Sequence, residues 1–236
     1  MSKIKVFYGT TSENLARGVC RHLSIPPGEA TLKRFADGEI NAQLNENVRG
    51  SDVFIIGATN PPAENLLEML LFADAARRSS AERITVIPIY LGYNRQDRKD
   101  RPRVPISARV VIDMFSNSGA NRVLLFDIHS EPTMGFFSNA VVVDHLYAAK
   151  MIVPYLQGLL KEPYVVASPD KGGVPRARAY ADKLGKDDGI AGDFVVFNKV
   201  RPRPGSIDSE SIRIIGDVTG RDVLFVTTSS TLRGHS

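Results

Sequence analysis

The sequence contains a single cysteine, Cys20, among 236 residues. An internal disulfide is therefore excluded, and a reducing, cytoplasmic setting is expected. No apolar run approaches the ~18 residues that a membrane-spanning helix needs, so no membrane partner is expected. The start, Met1-Ser-Lys-Ile-Lys-Val-Phe-Tyr8, lacks the long apolar core and cleavage site of a secretory signal. Two common phosphate-binding patterns, GxxxxGK(S/T) and GxGxxG, are also missing, so neither common nucleotide fold gains motif support. No internal repeat or low-complexity tract occurs. Charge of one sign is scarce too: 30 Lys and Arg against 26 Asp and Glu give a net charge of +4. That balance suits an anionic small molecule as well as nucleic acid.

What is present is an ordinary globular balance, with 43% hydrophobic and 24% charged residues. The length accommodates one large or two small domains. Short apolar bursts predict strands at Ile4–Tyr8, Val53–Ile56, Arg83–Ile89, Arg122–Asp127, Tyr164–Ala167, Phe194–Asn198 and Val223–Val226. Between them lie helix-like stretches. One opens at Thr11, where a hydroxyl can cap free amides, and runs to Leu23. Another covers Glu64–Arg78, with an apolar face of Leu66, Leu67, Leu70, Leu71 and Ala75. Further helices are expected at Ser107–Ser116, Ala148–Leu160 and Pro175–Leu184. The repeated alternation implies an α/β fold with mainly parallel sheets covered on both faces. The pattern restarts near Asp144–Lys150, which divides the chain into expected domains 1–147 and 148–236. Lys199–Ser211, rich in Pro, Arg, Gly and Ser, reads as a loop.

Ligands of open α/β sheets sit beyond the carboxyl ends of strands. Three polar clusters occupy such positions. Asp127-Ile-His129 follows one strand; its Asp and His share a face if the strand continues, and the pair can hold a divalent ion directly or through water. The alternative is a loop-capping Asp and a His that satisfies a backbone carbonyl. Ser168-Pro-Asp170-Lys-Gly-Gly173 precedes a helix, where glycine amides and the helix start favour an anion; it reads equally as a tight turn. Arg95-Gln96-Asp97-Arg98-Lys99-Asp100-Arg101 opens the densest basic stretch, which ends at Arg103 and suits a polyphosphate or a solvated loop. Elsewhere, Phe35-Ala-Asp37-Gly38-Glu39 places an aromatic beside two acids, fit for a base and its amino group or for a hairpin turn with a core Phe. Lys199 and Arg201 could close over a transferring phosphoryl group or form a basic linker.

Taken in order, these segments resemble ribose-phosphate pyrophosphokinase (phosphoribosyl diphosphate synthase). Further matching pieces are Glu46-Asn-Val-Arg-Gly50, Pro105-Ile-Ser107, Gly135-Phe-Phe137 and Ile215-Gly-Asp-Val218. The resemblance implies two phosphoribosyltransferase-like domains. It implies transfer of diphosphate from Mg-ATP to the 1-hydroxyl of ribose 5-phosphate, releasing AMP. Phe35, Asp37 and Glu39 would then hold adenine from a neighbouring subunit, making the protein a homo-oligomer. Arg95, Gln96 and Asp97 would contact ATP, His129 and Asp170 would position Mg2+, and Lys199 and Arg201 would clamp the transferring group. Nucleic acid is not an expected partner, since no binding motif or aromatic interleaving accompanies the basic stretch.

The family's strand corresponding to Val223–Val226 runs into an acidic loop, Asp-Asp-x-x-Asp-Thr-x-Gly-Thr, which holds ribose 5-phosphate. Here Thr227-Thr-Ser-Ser-Thr-Leu-Arg-Gly-His-Ser236 follows, with no acid after Asp222. Removing one base from the Val226 codon of a family-like reading frame reproduces this tail. The second domain is therefore expected to be incomplete, the ribose 5-phosphate loop lost after Val226, and the chain inactive alone. A non-catalytic or regulatory subunit that joins complete synthases is the alternative.

Overall fold

In a computed structural model, the structure describes residues 3–160, 163–185, 194–199 and 212–227. The chain separates into two compact units, Met1–Leu146 and Tyr147–Ser236.

The first unit is built on strands β1 (Ile4–Tyr8), β4 (Asp52–Gly57), β5 (Arg83–Pro88), β6 (Arg122–Phe126) and β7 (Val142–Leu146), arranged in that order and all parallel. Successive residues face opposite ways along a strand, so each supplies both faces. Phe7, Val53, Ile55, Ile84, Val86, Val123 and Leu125 join one core with helices α2 (Glu64–Arg78) and α3 (Ser107–Asn117). Val6 and Ile56 face the other way and pack on Ala16 and Cys20 of α1 (Glu13–His22). Burial on both faces is why these strands read as continuous apolar runs. Strands β2 (Ala30–Arg34) and β3 (Ile40–Leu44) form a separate antiparallel hairpin, whose Leu32, Ala42 and Leu44 pack on the first core.

Three local expectations need correction. The first helix begins at Glu13, after a short 3-10 turn over Thr10–Ser12. The Thr11 hydroxyl does not cap it but accepts the Ala58 amide at 3.3 Å. In α2 the buried face is Leu66, Met69, Phe72, Ala73 and Ala76, while Leu67 and Leu71 are exposed. Finally, β7 falls across the stretch where the apolar pattern restarts.

In the second unit, β8 (Tyr164–Ser168) is central, with β9 (Phe194–Lys199) and β11 (Asp222–Phe225) parallel on either side. Strand β10 (Ile212–Ile215) adds antiparallel to β9. Helices α4 (Ala149–Gln157) and α5 (Val174–Leu184) cover one face through Ala149, Val153, Ala177, Tyr180, Ala181 and Leu184. The two units are thus α/β: the five-stranded sheet of the first is wholly parallel, and the sheet of the second is mainly so. No helix among the described residues is long and apolar enough to cross a membrane.

Candidate active site

A pocket of about 370 Å³ lies in the first unit, lined by Arg95, Gln96, Asp97, Arg98, Asp100, His129 and Ser130. The residues come from two segments, one beyond β5 and one beyond β6. Those strands are parallel neighbours in the sheet, so the loops leaving their carboxyl ends meet, as expected for an open α/β sheet.

The β5 loop is anchored at both ends. At its start, the Gly92 amide donates to Thr59 Oγ1 at 2.6 Å, and Thr59 Oγ1 donates to the Tyr90 carbonyl at 2.8 Å. A Cβ at Gly92 would lie 2.2 Å from the Thr59 carbonyl oxygen, so this approach requires glycine. At its end, the Gln96 carbonyl accepts the Ala108 amide at 3.1 Å, and Ser107 Oγ donates to Gln96 Oε1. Gln96 therefore ties the loop to the start of α3 as well as lining the pocket. Between the anchors, Asn94 is 3% exposed, and its amide atoms have no partner among the described residues, a cost carried within the loop.

The β6 loop does not continue the strand. Asp127 has φ +40°, a left-handed conformation unfavourable to a residue with a Cβ. This turn, rather than a shared strand face, brings His129 to the pocket. Beyond it, Thr133 Oγ1 donates to the Ser130 carbonyl at 2.6 Å.

The pocket carries charges of both signs: Arg95 and Arg98 beside Asp97 and Asp100. Cations can neutralise phosphate oxygens, while carboxylates and an imidazole can face a hydrated divalent ion. Among the described residues, no three His, Cys, Asp or Glu side chains cluster as a metal cage.

The other predicted site residues lie elsewhere. Phe35, Asp37 and Glu39 occupy the tip of the β2–β3 hairpin. Phe35 is 54% exposed, so it is not a core residue. The Phe35 amide donates to the Glu39 carbonyl at 2.8 Å, and the Glu39 amide to Asp37 Oδ1 at 3.0 Å. Gly38 has φ +95°, which closes the turn. None of the pocket-lining residues comes from this hairpin. In the second unit, exposed Asp170 accepts the Gly173 amide on Oδ1 at 2.8 Å, and Ser168 Oγ donates to the Asp170 carbonyl at 2.7 Å. Asp170 thus shapes the turn into α5. Lys199 ends β9; its side chain and all of Arg201 lie outside the described residues.

Residues 4–119 match the N-terminal domain of ribose phosphate pyrophosphokinase. The ribose-phosphate pyrophosphokinase of Marinomonas sp. (strain MWYL1) is 46% identical over 228 residues, covering 96% of this chain and 70% of that protein. The chain belongs to the ribose-phosphate pyrophosphokinase family. The Chlorobaculum tepidum ribose-phosphate pyrophosphokinase is 43% identical over 224 residues, covering 94% of this chain and 66% of its own length. The crystal structure of phosphoribosylpyrophosphate synthetase from Mycobacterium smegmatis superposes with a TM-score of 0.81 at 35% identity, covering 95% of this chain and 70% of that one. The chain thus spans about two thirds of the length of these pyrophosphokinases.

Sequence reasoning missed Thr59 and did not single out Ser130. Thr59 carries no motif signal; only the packing of Gly92 against it reveals its role.

Proposed function

We propose that the first unit is a Mg-ATP site of a ribose-phosphate diphosphokinase, the enzyme that moves diphosphate from ATP to the 1-hydroxyl of ribose 5-phosphate. The observation that carries this reading is the meeting of Arg95, Gln96, Asp97 and His129 in one pocket. In the reaction, the 1-hydroxyl oxygen attacks the β-phosphorus and the bond from that phosphorus to the α–β bridging oxygen breaks. AMP leaves with the bridging oxygen, and the hydroxyl proton passes to solvent. Such transfer depends on positioning and charge neutralisation rather than covalent catalysis.

Arg95 and Arg98 would hold phosphate oxygens. Gln96 and Asp97 would contact the nucleotide and His129 would face the hydrated ion; the family resemblance implies the same metal role for Asp170. The donor set fits Mg2+, which keeps waters and shares substrate phosphates instead of requiring an all-protein cage. When bound, the ion supplies charge neutralisation and orientation. Lys199 and Arg201 would clamp the transferring group. The exposed hairpin, separate from the pocket lining, supports adenine binding by Phe35, Asp37 and Glu39 in a neighbouring subunit of a homo-oligomer.

The acidic ribose 5-phosphate loop has no counterpart in Thr227–Ser236. This difference favours a chain that binds nucleotide but is inactive alone, and it supports the alternative of a non-catalytic subunit joining complete synthases. Calorimetric titration with Mg-ATP, followed by an AMP-release assay with ribose 5-phosphate, tests both parts. Binding without turnover is expected. Failure to bind Mg-ATP, as chain alone and when mixed with a complete synthase, would overturn the nucleotide site; robust turnover by the pure chain would overturn its inactivity.

A further inference from the structure

We infer that His145 is a positioning residue for the turn that delivers His129 to the pocket. His145 lies on β7, opposite Leu125 of β6 in the parallel register. Its Nε2 accepts the Ile128 amide at 3.4 Å. The next residue on β7, Leu146, accepts the Asp127 amide through its carbonyl at 3.2 Å. Two successive β7 residues therefore hold the two successive amides that precede His129. They do so where the backbone is least willing to stay, since Asp127 has φ +40° and a strained residue persists only when its surroundings over-determine it.

The two contacts differ in kind. The Leu146 carbonyl is backbone and is supplied by any residue there. The His145 acceptor is a side chain, so its contribution depends on residue identity. Ile128 itself is buried, which anchors the middle of the turn while His129 remains exposed to the pocket. Accepting through Nε2 requires that nitrogen to be unprotonated, with the proton of the neutral ring on Nδ1. His145 does not line the pocket, so it acts through the turn rather than on a ligand.

This inference rests on the proposed Mg-ATP reading for its functional consequence, and the experiment separates the two. His145→Gln keeps an acceptor of similar reach, whereas His145→Phe keeps a ring and removes the acceptor. Amide hydrogen exchange at Asp127–His129 in the full chain reads the positioning without ligand. Exchange at Ile128 is expected to accelerate about five-fold in the Phe variant and to stay near wild type in the Gln variant. Titration with ATP alone and with Mn-ATP reads the consequence. The gain in affinity from the metal is expected to fall about five-fold in His145→Phe and to be restored in His145→Gln, with metal-free ATP affinity unchanged. Equal exchange in wild type and the Phe variant would overturn the inference, as would a Gln variant as fast as Phe or a parallel loss of metal-free and metal-loaded affinity. Absence of any ATP binding by wild type would instead overturn the Mg-ATP reading, and the exchange measurement would still decide the positioning role.

Discussion

Replacing Gly92 with alanine should loosen the β5 loop at its root. The new methyl carbon would sit 2.2 Å from the Thr59 carbonyl oxygen, 3.1 Å from the Thr59 carbonyl carbon and 3.2 Å from its Oγ1. The nearest of these atoms are backbone, and they are fixed in place. Thr59 is 1% exposed, and its amide donates to the Tyr90 carbonyl at 3.0 Å while its hydroxyl donates to the same carbonyl. Ordinary contact begins at 3.4 Å, so the two segments must part by on the order of 1 Å, the scale of misplacement that can cost ~100-fold in positioned chemistry. Overpacking of this kind costs about 1–3 kcal/mol. Loss of the Gly92–Thr59 hydrogen bond adds about 1 kcal/mol. Together they correspond to a fall in Tm of roughly 5–15 °C for a unit of this size. Thermal unfolding of the full chain measures the first effect, and Mg-ATP titration the second, with at least ~10-fold weaker binding expected because Arg95–Asp97 ride on the displaced loop. Gly135→Ala is the control, since a Cβ there meets nothing within 4 Å. A Gly92→Ala chain that melts within a degree of wild type and binds Mg-ATP equally would refute the account.

Phe35→Ala should leave Tm within about 1–2 °C, because the ring is largely exposed, yet reduce the preference for ATP over GTP; unchanged discrimination would count against the hairpin's proposed role. Burial pushes the Cys20 thiol above its ordinary range. Its raised folded value means that this group's stabilising contribution is present below the unfolded pKa and lost as pH rises through the folded one, so alkylation at pH 8 should proceed only on unfolding; rapid labelling of the native chain would contradict this. Replacing Thr227–Ser236 with the family's acidic loop, Asp-Asp-x-x-Asp-Thr-x-Gly-Thr, should strengthen binding of ribose 5-phosphate; unchanged affinity would count against the loop's proposed role.

The parallel strands were legible because double-sided burial leaves little room for polar residues. Strand β7 was not, since Asp144 and His145 interrupt its apolar run. An edge strand tolerates them: Asp144 pairs with Arg122 at 3.0 Å, and His145 accepts the Ile128 amide. In α2, leucines on adjoining positions erase the contrast between faces, so only packing distinguishes buried Leu66 from exposed Leu67. The hairpin strands alternate polar and apolar residues weakly, and Phe35 carries no mark that it is exposed rather than core. At the site, residue types suggested phosphate and metal chemistry, but the convergence of Arg95–Asp97 with His129 required β5 and β6 to be neighbours. The turn at Asp127 also lay beyond periodicity, because no strand pattern announces a left-handed residue.

The first sheet has one more consequence, for synthesis. Leaving aside the hairpin, its spatial order β1-β4-β5-β6-β7 is also its order in the chain. Each strand can therefore dock on the edge left by its predecessor as the polypeptide leaves the ribosome, without waiting for a distant partner. The pocket loops emerge before β7, but the contacts that hold the Asp127 turn arrive only with His145 and Leu146. A nascent chain that has emerged from the ribosome only as far as Val141 would display both loops in an immature site, and the last-added strand would act as its latch.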